Sequence, residues 1–502
     1  MFPVYENPCE LEKLAKEKYC IPPFLMMENA AKSMADFILQ KCTGNKTVLL
    51  VCGKGNNGGD GYALARLIKN YCNVFVLLLE QPTAQEAKTQ FQICNALGVK
   101  ILNANSESEF SQFLKLIPKA DFIVDCIYGT GFKGELKIEI KKLIEKLNSS
   151  KACKIACDIS SGLLFNADFT FTMGEYKLAL FSDKAKAVSG TIFRKEIGIS
   201  FEDFEKAGGK SEANLIEYDD IELPLRKNKA AHKGKYGHTA IFCGEKSGAG
   251  ILAASAAMNF GSGLTSLVPV KNSNLSQFKI SPSLMISNEI PAKTTCVVLG
   301  SGFTEFPEEA AAALVEWFNS CKNPAVVLDA TILTSPKLPP LLTSLDNRKN
   351  AKIVLTPHLL ELSVLLKNIF DYSKNQQSAA AASLFQQDFS VQSLAENPAL
   401  KLAIGKFMNQ TFPNTAVVMK SANTFIAQGG ESYIIADGSP SLAKGGSGDL
   451  LAGLIGALLA QGYSTKSACI TAAEYHAHQS KLFGEQAFNL TPQKFLELCF
   501  KS

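Results

Sequence analysis

The stretch Thr47–Gly61, with the sequence TVLLVCGKGNNGGDG, decides the fold of the first part of the chain. Its first six residues are apolar or β-branched and predict a buried strand. Five glycines follow in the nine positions from Gly53 to Gly61, and a helical apolar pattern begins at Tyr62. A strand, a glycine-rich turn and a helix in this order are typical of an α/β unit with a parallel sheet covered on both faces.

Short apolar runs alternate with helical patterns along the rest of the chain. The other predicted buried strands are Asn73–Leu79, Phe122–Cys126, Lys154–Asp158, His238–Cys243, Cys296–Leu299, Ala325–Asp329, Lys352–Leu355 and Ala416–Lys420. We therefore predict two α/β domains, at residues 1–210 and 229–502, joined by a linker at residues 211–228. The Gln-, Ser- and Ala-rich stretch Asp371–Pro398 predicts a partly helical surface insertion.

Composition narrows the class of protein. The chain of 502 residues is 46% hydrophobic, enough for large cores, and its net charge of +4 gives no reason to expect a nucleic-acid groove or a membrane-binding face. None of the 14 cysteines forms a Cys-x-x-Cys pair, so we expect reduced thiols and no zinc site. The N-terminus lacks the features of a signal peptide, and the apolar stretch Leu450–Ala460 is too short to cross a bilayer. We expect a cytoplasmic protein.

The glycine-rich turn after the first strand is the first candidate site. Glycines let the backbone approach a ligand closely, and the free N–H groups of a helix start favour an anion such as phosphate. The alternative is a plain strand-to-helix turn, for which Gly, Asn and Asp are common residues.

Two further strand ends in this half contain acids, Asp125 and Asp158. Ligands bind at the carboxyl ends of the strands of an open α/β sheet, so we expect these loops to converge on one crevice. Asp125, Asn57 and Ser161 offer hard oxygens suited to a group-one or group-two cation, and Asp158 could act as the acid/base. For each acid alone, a capping or turn role is the alternative.

Four parts of the sequence resemble the NAD(P)H-hydrate epimerase domain family. They are Phe24–Ala31, Gly53–Gly61, Asp125 with Gly129–Gly134, and Asp158–Gly162. The resemblance implies a Rossmann-like fold, interconversion of the R and S forms of hydrated NADH and NADPH, and a potassium ion bound by Asn57, Asp125 and Ser161. The residues that it implies for binding the hydrated dinucleotide are Asn56, Asn57, Gly58, Gly59, Asp60, Gly129, Thr130, Gly131, Phe132, Lys133, Gly134, Glu135 and Asp158.

The second candidate site is Lys444–Asp449, KGGSGD, which begins an apolar helix. Its glycines expose N–H groups that can hold phosphate oxygens, and Asp449 could take a proton from a hydroxyl that attacks a phosphoryl group. The alternative is a glycine-rich helix start in which Asp449 is only a capping residue. Other strand ends agree with a nucleotide crevice, namely Gly300–Gly302, Thr356–His358 and Lys420–Thr424. His358 alone would more often be a structural or surface histidine.

These residues, with His232–His238 and Ser247–Ala254, resemble the ribokinase-like superfamily, and within it the ADP- or ATP-dependent NAD(P)H-hydrate dehydratases. The resemblance implies that ADP or ATP is a co-substrate, with Mg²⁺. The residues that it implies for contact with the hydrated dinucleotide are Ala249, Gly302, His358 and Asp449. Those that it implies for contact with the adenine nucleotide are Lys420, Ser421, Ala422, Asn423, Thr424 and Gly448.

Together the two resemblances, in this order, are those of the bifunctional NAD(P)H-hydrate repair enzyme family. They predict a Rossmann-like N-terminal domain and a ribokinase-like C-terminal domain, with Asp158 and Asp449 as catalytic residues. The partners expected are the hydrated dinucleotide, an adenine nucleotide and further copies of the chain in a homo-oligomer, and neither nucleic acid nor a membrane. Two alternatives stay open. One is a small-molecule kinase fused to a regulatory dinucleotide-binding domain, and the other is a non-catalytic N-terminal binding module.

Overall fold

The computed structural model describes residues 1–42, 45–132, 134–373 and 383–500. The chain divides into two compact units, Pro3–Glu212 and Ala213–Ser502, the second of which includes Met1–Phe2. Among the described residues, no helix combines the length and the apolar character needed to cross a membrane.

The N-terminal unit contains a parallel sheet flanked by helices. Its strands are β1 (Phe2–Tyr5), β2 (Thr47–Cys52), β3 (Asn73–Leu78), β4 (Lys100–Asn103), β5 (Phe122–Cys126), β6 (Cys153–Cys157), β7 (Phe169–Met173), β8 (Tyr176–Lys177) and β9 (Thr191–Lys195). Its helices are α1 (Pro8–Tyr19), α2 (Pro23–Lys41), α3 (Asn56–Ile68), α4 (Gln85–Ala96), α5 (Glu107–Leu116), α6 (Ile138–Asn148), α7 (Asp183–Val188) and α8 (Phe201–Glu205). The main sheet has the order β4-β3-β2-β5-β6-β7-β9, with every neighbouring pair parallel, while β1 pairs in parallel with β8.

Strand β2 shows why this sheet needs helices on both faces. Val48, Leu50 and Cys52 belong to one apolar cluster, whereas Leu49 and Val51 belong to another. Successive side chains of a strand point to opposite faces, so each face of the sheet has its own core. The continuous apolar run in the sequence follows directly from this double burial.

The C-terminal unit is built in the same way on a larger sheet. Its strands are β10 (Ala213–Ile216), β11 (His238–Cys243), β12 (Leu264–Pro269), β13 (Met285–Ile286), β14 (Cys296–Leu299), β15 (Ala325–Leu328), β16 (Lys352–Leu355), β17 (Thr415–Met419), β18 (Thr424–Gln428) and β19 (Glu431–Ile435). Its helices are α9 (Ser247–Asn259), α10 (Glu308–Ser320), α11 (Leu338–Asp346), α12 (Leu359–Ser373), α13 (Val391–Glu396), α14 (Pro398–Thr411), α15 (Ser447–Ala460), α16 (Thr465–Lys481) and α17 (Pro492–Leu498). Within this unit the strand order is β13-β12-β11-β14-β15-β16-β17-β18-β19-β10, parallel except for the antiparallel pairs β17–β18 and β18–β19.

Helix α15 lies at the centre of the C-terminal core. Every residue from Leu450 to Ala460 is buried, which explains a helix that is apolar on all sides. It packs closely on α9, since a Cβ at Gly453 would lie 2.1 Å from the carbonyl oxygen of Ala253. Glycine at position 453 is therefore required by the approach of the two helices.

The α/β prediction is confirmed for both units, and the predicted strands are present with ends that differ by one residue at most. Asp158, for example, follows β6 rather than ending it, because its φ of 70° is outside the strand region. Residues 213–216, which fall in the predicted linker, form strand β10 and pair with β19. The predicted insertion at 371–398 contains α13, and its residues 374–382 lie outside the described part of the chain.

Candidate active sites

The glycine-rich turn of the N-terminal unit connects β2 to α3. A Cβ at Gly53 would lie 2.0 Å from the carbonyl oxygen of Ile127, and one at Gly58 would lie 1.9 Å from that of Gly53. Gly59 and Gly61 are likewise crowded by side chains, whereas Gly55 has no heavy atom within 4 Å of its Cβ position. Tight packing therefore accounts for four of the five glycines without any ligand, and Gly55 leaves the turn open.

Asp158 is held by an ion pair with Lys177, the last residue of β8. Its second carboxylate oxygen accepts hydrogen bonds from the backbone N–H and the hydroxyl of Thr130, both at 3.0 Å. The Lys177 ammonium also donates to the hydroxyl of Thr172 at 3.0 Å and to the carbonyl of Met173 at 2.9 Å. Burial opposes the charge of Asp158, but Lys177 and the bonds from Thr130 outweigh it and lower the pKa of this carboxyl. Asp158 is therefore ionised.

A second carboxyl of this crevice, Asp60, has the opposite electrostatics. Burial, together with the negative charges of Asp158 and Glu12, raises the pKa of Asp60 well above its usual range. The thiol of Cys157 lies 3.7 Å from its carboxyl oxygen. A carboxyl whose protonated form is favoured thus lies near one whose ionised form is favoured.

Asp125, Ser161 and Asn57 surround the loop that follows β5. The hydroxyl and the backbone N–H of Ser161 donate to the two carboxylate oxygens of Asp125, at 2.6 and 2.8 Å, and the N–H of Ile127 donates at 3.1 Å. Burial raises the pKa of Asp125 to about 6, although these bonds oppose the rise. Asn57 is 8% exposed, and neither its amide oxygen nor its amide nitrogen has a hydrogen-bond partner among the described residues. A buried amide with unpaired atoms indicates a missing ligand.

The other predicted residues of this site differ in whether they lie at the crevice. A Cβ at Gly129 would lie 2.8 Å from a carboxylate oxygen of Asp158 and 3.7 Å from the amide carbon of Asn57, so this loop does meet the crevice. The ring of Phe132 stacks on Tyr128 with centroids 4.2 Å apart. The side chain of Glu135 is 94% exposed and pairs with Lys141, so the structure does not bring it to the crevice. Lys133 lies outside the described residues.

In the C-terminal unit, the glycine-rich segment opens helix α15. Gly446 has a φ of 93°, in the left-handed region that favours glycine, and Gly445 has open space around its Cβ position. A cavity of about 320 Å³ lies beside this helix start, and its lining includes Gly445, Gly446, Asp449, Ala249 and Phe278. The helix N-terminus, the predicted base and one predicted dinucleotide contact therefore meet at a single cavity.

Asp449 lies close to a buried ion pair. Lys420 contacts Asp329 at 3.0 Å, and the hydroxyl of Thr356 donates to the same carboxylate oxygen at 2.6 Å. A Cβ at Gly448 would lie 3.2 Å from the Lys420 ammonium, which places this cation at the helix start. Burial first, and then the negative charge of Asp329, raise the pKa of Asp449 to about 6. Its proton affinity is therefore close to what a general base needs near neutral pH.

His358 and Glu361 form a second polar group next to Lys420. The backbone N–H of His358 donates to Glu361 at 2.9 Å, and the imidazole Nε2 lies 3.2 Å from the other carboxylate oxygen. Partial burial and the positive charge of Lys420 lower the pKa of His358, so its ring is neutral. About half of the His358 side chain is exposed. Gly302, with a φ of 77°, would place a Cβ 3.3 Å from the Cβ of Ala249, so these two predicted contacts are neighbours.

The segment Lys420–Thr424 connects β17 to β18. The hydroxyl of Ser421 accepts a hydrogen bond from the buried Lys401 ammonium at 2.7 Å and donates to the carbonyl of Asn423 at 2.7 Å. The backbone N–H of Lys420 donates to the carbonyl of Pro357 at 2.8 Å, which joins this segment to the loop of His358. The predicted nucleotide contacts therefore lie on this single connection between β17 and β18, apart from Gly448, which lies on α15.

Both units match known protein families. Residues 24–179 match the family described as YjeF-related protein N-terminus, and residues 239–499 match the family described as NAD(P)H-hydrate dehydratase. The "Bifunctional NAD(P)H-hydrate repair enzyme Nnr" of Helicobacter pylori is 33% identical over 99% of this chain and 99% of its own length. The chain belongs to this repair-enzyme family.

More distant members of the repair-enzyme family agree in length as well. The protein of the same name from Moorella thermoacetica is 29% identical over 93% of this chain and 89% of its own, and that from Escherichia coli is 28% identical over 85% and 79%. A solved Bacillus subtilis structure titled ADP/ATP-dependent NAD(P)H-hydrate dehydratase, co-crystallized with ATP/Mg²⁺, has a TM-score of 0.43 and 22% identity, over 55% of this chain and 92% of its own. The resemblance predicted from the motifs is confirmed.

Three residues of the two repair-enzyme sites were not identified from the sequence. Lys177 pairs with Asp158, Glu12 acts on Asp60, and Lys401 supports Ser421. Each comes from an element outside the glycine motifs, and a single lysine or glutamate in an ordinary strand or helix gives no signal of its own. Only the fold brings them to the sites.

Proposed function

We propose that the N-terminal unit interconverts the R and S forms of hydrated NADH and NADPH, and that the C-terminal unit dehydrates the S form with ADP or ATP. The observation that supports this most directly is Asp449, a carboxylate with raised pKa at a helix N-terminus, facing an open cavity. Both phosphoryl donors share the phosphates that this helix start can bind.

In the N-terminal unit, Asp158 and Asp60 divide the proton transfers. Asp158 is ionised and oriented by Lys177 and Thr130, so it accepts a proton from the substrate. Burial and the neighbouring negative charges favour the protonated form of Asp60, which can donate its proton. Two carboxyls whose surroundings drive their pKa values apart are a common way to supply a base and an acid in one site.

Potassium fits the set Asn57, Asp125 and Ser161. The supporting observation is the buried amide of Asn57, which has no partner among the described residues and lies next to the loop that follows the Asp125 strand. Oxygen donors of this kind suit a hard cation. When bound, such an ion would hold negative groups of the dinucleotide against the glycine-rich turn.

In the C-terminal unit, Asp449 takes the proton of the substrate's ring hydroxyl. The hydroxyl oxygen then attacks the terminal phosphorus of the nucleotide, and the bond from that phosphorus to the bridging oxygen breaks. Lys420 and the N–H groups at the start of α15 stabilise the negative charge on the phosphates. The carbon–oxygen bond then breaks with phosphate as leaving group, and loss of a proton from the ring restores the reduced nicotinamide.

Magnesium fits the same region through oxygen donors. The negative charge of Asp329 raises the proton affinity of Asp449, so a divalent cation held by these carboxylates would be favourable. When bound, Mg²⁺ neutralises charge on the phosphates. Asp329 is already paired with Lys420, so we expect Asp449 and water to be the other ligands of a bound magnesium ion.

The proposal is tested with purified protein, S-hydrated NADH, Mg²⁺ and either ADP or ATP, following the absorbance of reduced nicotinamide. We expect recovery only with nucleotide, and a loss of about 10²–10⁴-fold in Asp449→Ala, the usual contribution of a general base. Asp158→Asn is the matched control, because it changes the other unit and leaves dehydration of the S form intact.

A second assay starts from the R form. Asp158→Asn should stop recovery from the R form while recovery from the S form continues. If the N-terminal unit is a non-catalytic module, Asp158→Asn should change recovery from neither form. Absence of recovery from folded protein with both nucleotides contradicts the dehydratase proposal. A stable phosphorylated alcohol as product would instead support the small-molecule kinase.

A further inference from the structure

A group of polar side chains in the C-terminal unit has no role in the proposed reactions. Asp437 lies just after β19, and Glu474 and His478 lie on α16. One carboxylate or imidazole atom from each of the three lies within 4.8 Å of the others. Glu474 and His478 are four residues apart, so they project from the same face of the helix.

Glu474 is the unusual member of this group. Its side chain is fully buried, and neither carboxylate oxygen has a hydrogen-bond donor among the described residues, since its neighbour Asp437 is another carboxyl. A buried carboxyl without donors costs free energy unless it binds a proton or a cation.

The surroundings favour a cation. Asp437 contacts the imidazole Nδ1 of His478 at 2.9 Å and the ammonium of Lys481 at 2.8 Å. The Lys481 side chain is 61% exposed, so it can move away. Glu217 adds further negative charge, and the ring of Tyr218 stacks on His478 at 4.1 Å and fixes its plane.

We propose that Asp437, Glu474 and His478 bind a divalent transition-metal ion of the zinc and cobalt class. One imidazole and two carboxylates are a common ligand set for such ions, and a fourth position would remain for water. The ion would tie the segment after β19 to α16. That segment continues to the glycine-rich start of α15, so the metal would stabilise the approach to this helix.

Cobalt is a suitable probe because its visible spectrum reports the ligands. Chelator-treated full-length protein is titrated with CoCl₂, and zinc is then added as a competitor. We expect one saturable equivalent per chain, visible d–d bands, no sulfur-to-cobalt charge-transfer band despite the 14 cysteines, and displacement by zinc. Glu474→Gln and His478→Asn should each lose this binding.

Glu431→Gln is the matched control. Glu431 is an exposed acid on β19 that pairs with Lys466, so its loss should leave cobalt binding unchanged. His478 is only partly buried, and His478→Asn therefore tests the site even if Glu474→Gln folds poorly. No saturable binding, binding that survives in His478→Asn, or a thiolate charge-transfer band would overturn the proposal. Absence of binding would mean that Glu474 simply keeps its proton beside Asp437.

Discussion

Asp158 in the N-terminal unit and Asp449 in the C-terminal unit lie in similar places but differ in their partners. Each is next to a glycine-rich turn at the carboxyl edge of a mainly parallel sheet. Asp158 has an ammonium group in contact with it and a lowered pKa. Asp449 has another carboxylate, Asp329, as its main charged neighbour and a pKa raised to about 6.

The difference teaches how one chain can contain two kinds of base. The negative charge of Asp158 is stabilised by its surroundings, so ionisation contributes to folding. The charge of Asp449 is opposed by its surroundings, so the site keeps a reactive group at the expense of stability. The nearby Lys420 favours the charge of Asp449 only in part, because it is paired with Asp329.

The largest expected effect comes from removing the partner of Asp158. Lys177→Met leaves a buried carboxylate without its counter-charge, and we expect a loss of about 3–5 kcal/mol in the free energy of unfolding. Denaturant unfolding of the Lys177→Met variant measures this loss. The rate of epimerisation of the R form should fall in parallel. Lys154→Met, on β6, is the control. Equal stability of Lys177→Met and the parent would contradict the role given to the pair.

The opposite change is expected at Asp449. Since the folded protein binds the proton of Asp449 more tightly than the unfolded chain, stability from this group is present in full below about pH 4 and is lost as the pH rises through about 6. Asp449→Asn should therefore raise the free energy of unfolding by roughly 2–3 kcal/mol at about pH 8 and by much less at about pH 5. A lower stability of Asp449→Asn at pH 8 would show that its charge is compensated after all.

The two activities should also differ in their pH profiles. Below about pH 6, the dehydration rate should fall roughly tenfold per pH unit as Asp449 is protonated. Epimerisation should not lose its proposed base in this range, because Asp158 stays ionised to lower pH. Rates with saturating substrate between about pH 5 and 8 distinguish the two. Parallel profiles would place the base of one site elsewhere.

The smallest effect is expected at the proposed potassium site. Asn57→Leu removes a buried amide without partners, so in potassium-free buffer the stability should change by no more than about 1 kcal/mol. The rise in melting temperature caused by KCl, relative to tetramethylammonium chloride, should disappear in this variant. Asn56→Leu, at the exposed neighbouring position, should keep the rise. Equal potassium stabilisation in both variants would remove Asn57 from the site.

Much of the fold could be predicted because buried parallel strands are continuous apolar runs. Strands β2, β5, β11, β14 and β16 have the predicted limits. Strands β18 and β19 are among those that were not predicted, since each has an apolar run of only three residues. Strand β10 was assigned to a linker because four residues give too little pattern, and only its pairing with β19 fixes it.

The residues of the candidate sites also differ in how well the sequence predicts them. Asp158, Asp449 and the glycine turns were predicted because glycines and acids at strand ends form a local pattern. Lys177 and Glu12 were not, because their contribution depends on contacts between distant segments. Glu135 was placed at the site by motif but is exposed, since a resemblance in sequence does not fix the direction of a loop side chain.

The close contact of α15 with α9 at Gly453 has a consequence for the divergence of this domain. The proposed base Asp449 and the cavity residue Ala249 lie near the starts of these two helices, so their separation is set by backbone packing deep in the core. Mutations in the surrounding loops, such as the one that contains Phe278, can change which substrate enters without moving the reacting groups. Selection for a new substrate would therefore act on the rim, while the spacing of the chemistry is inherited with the core.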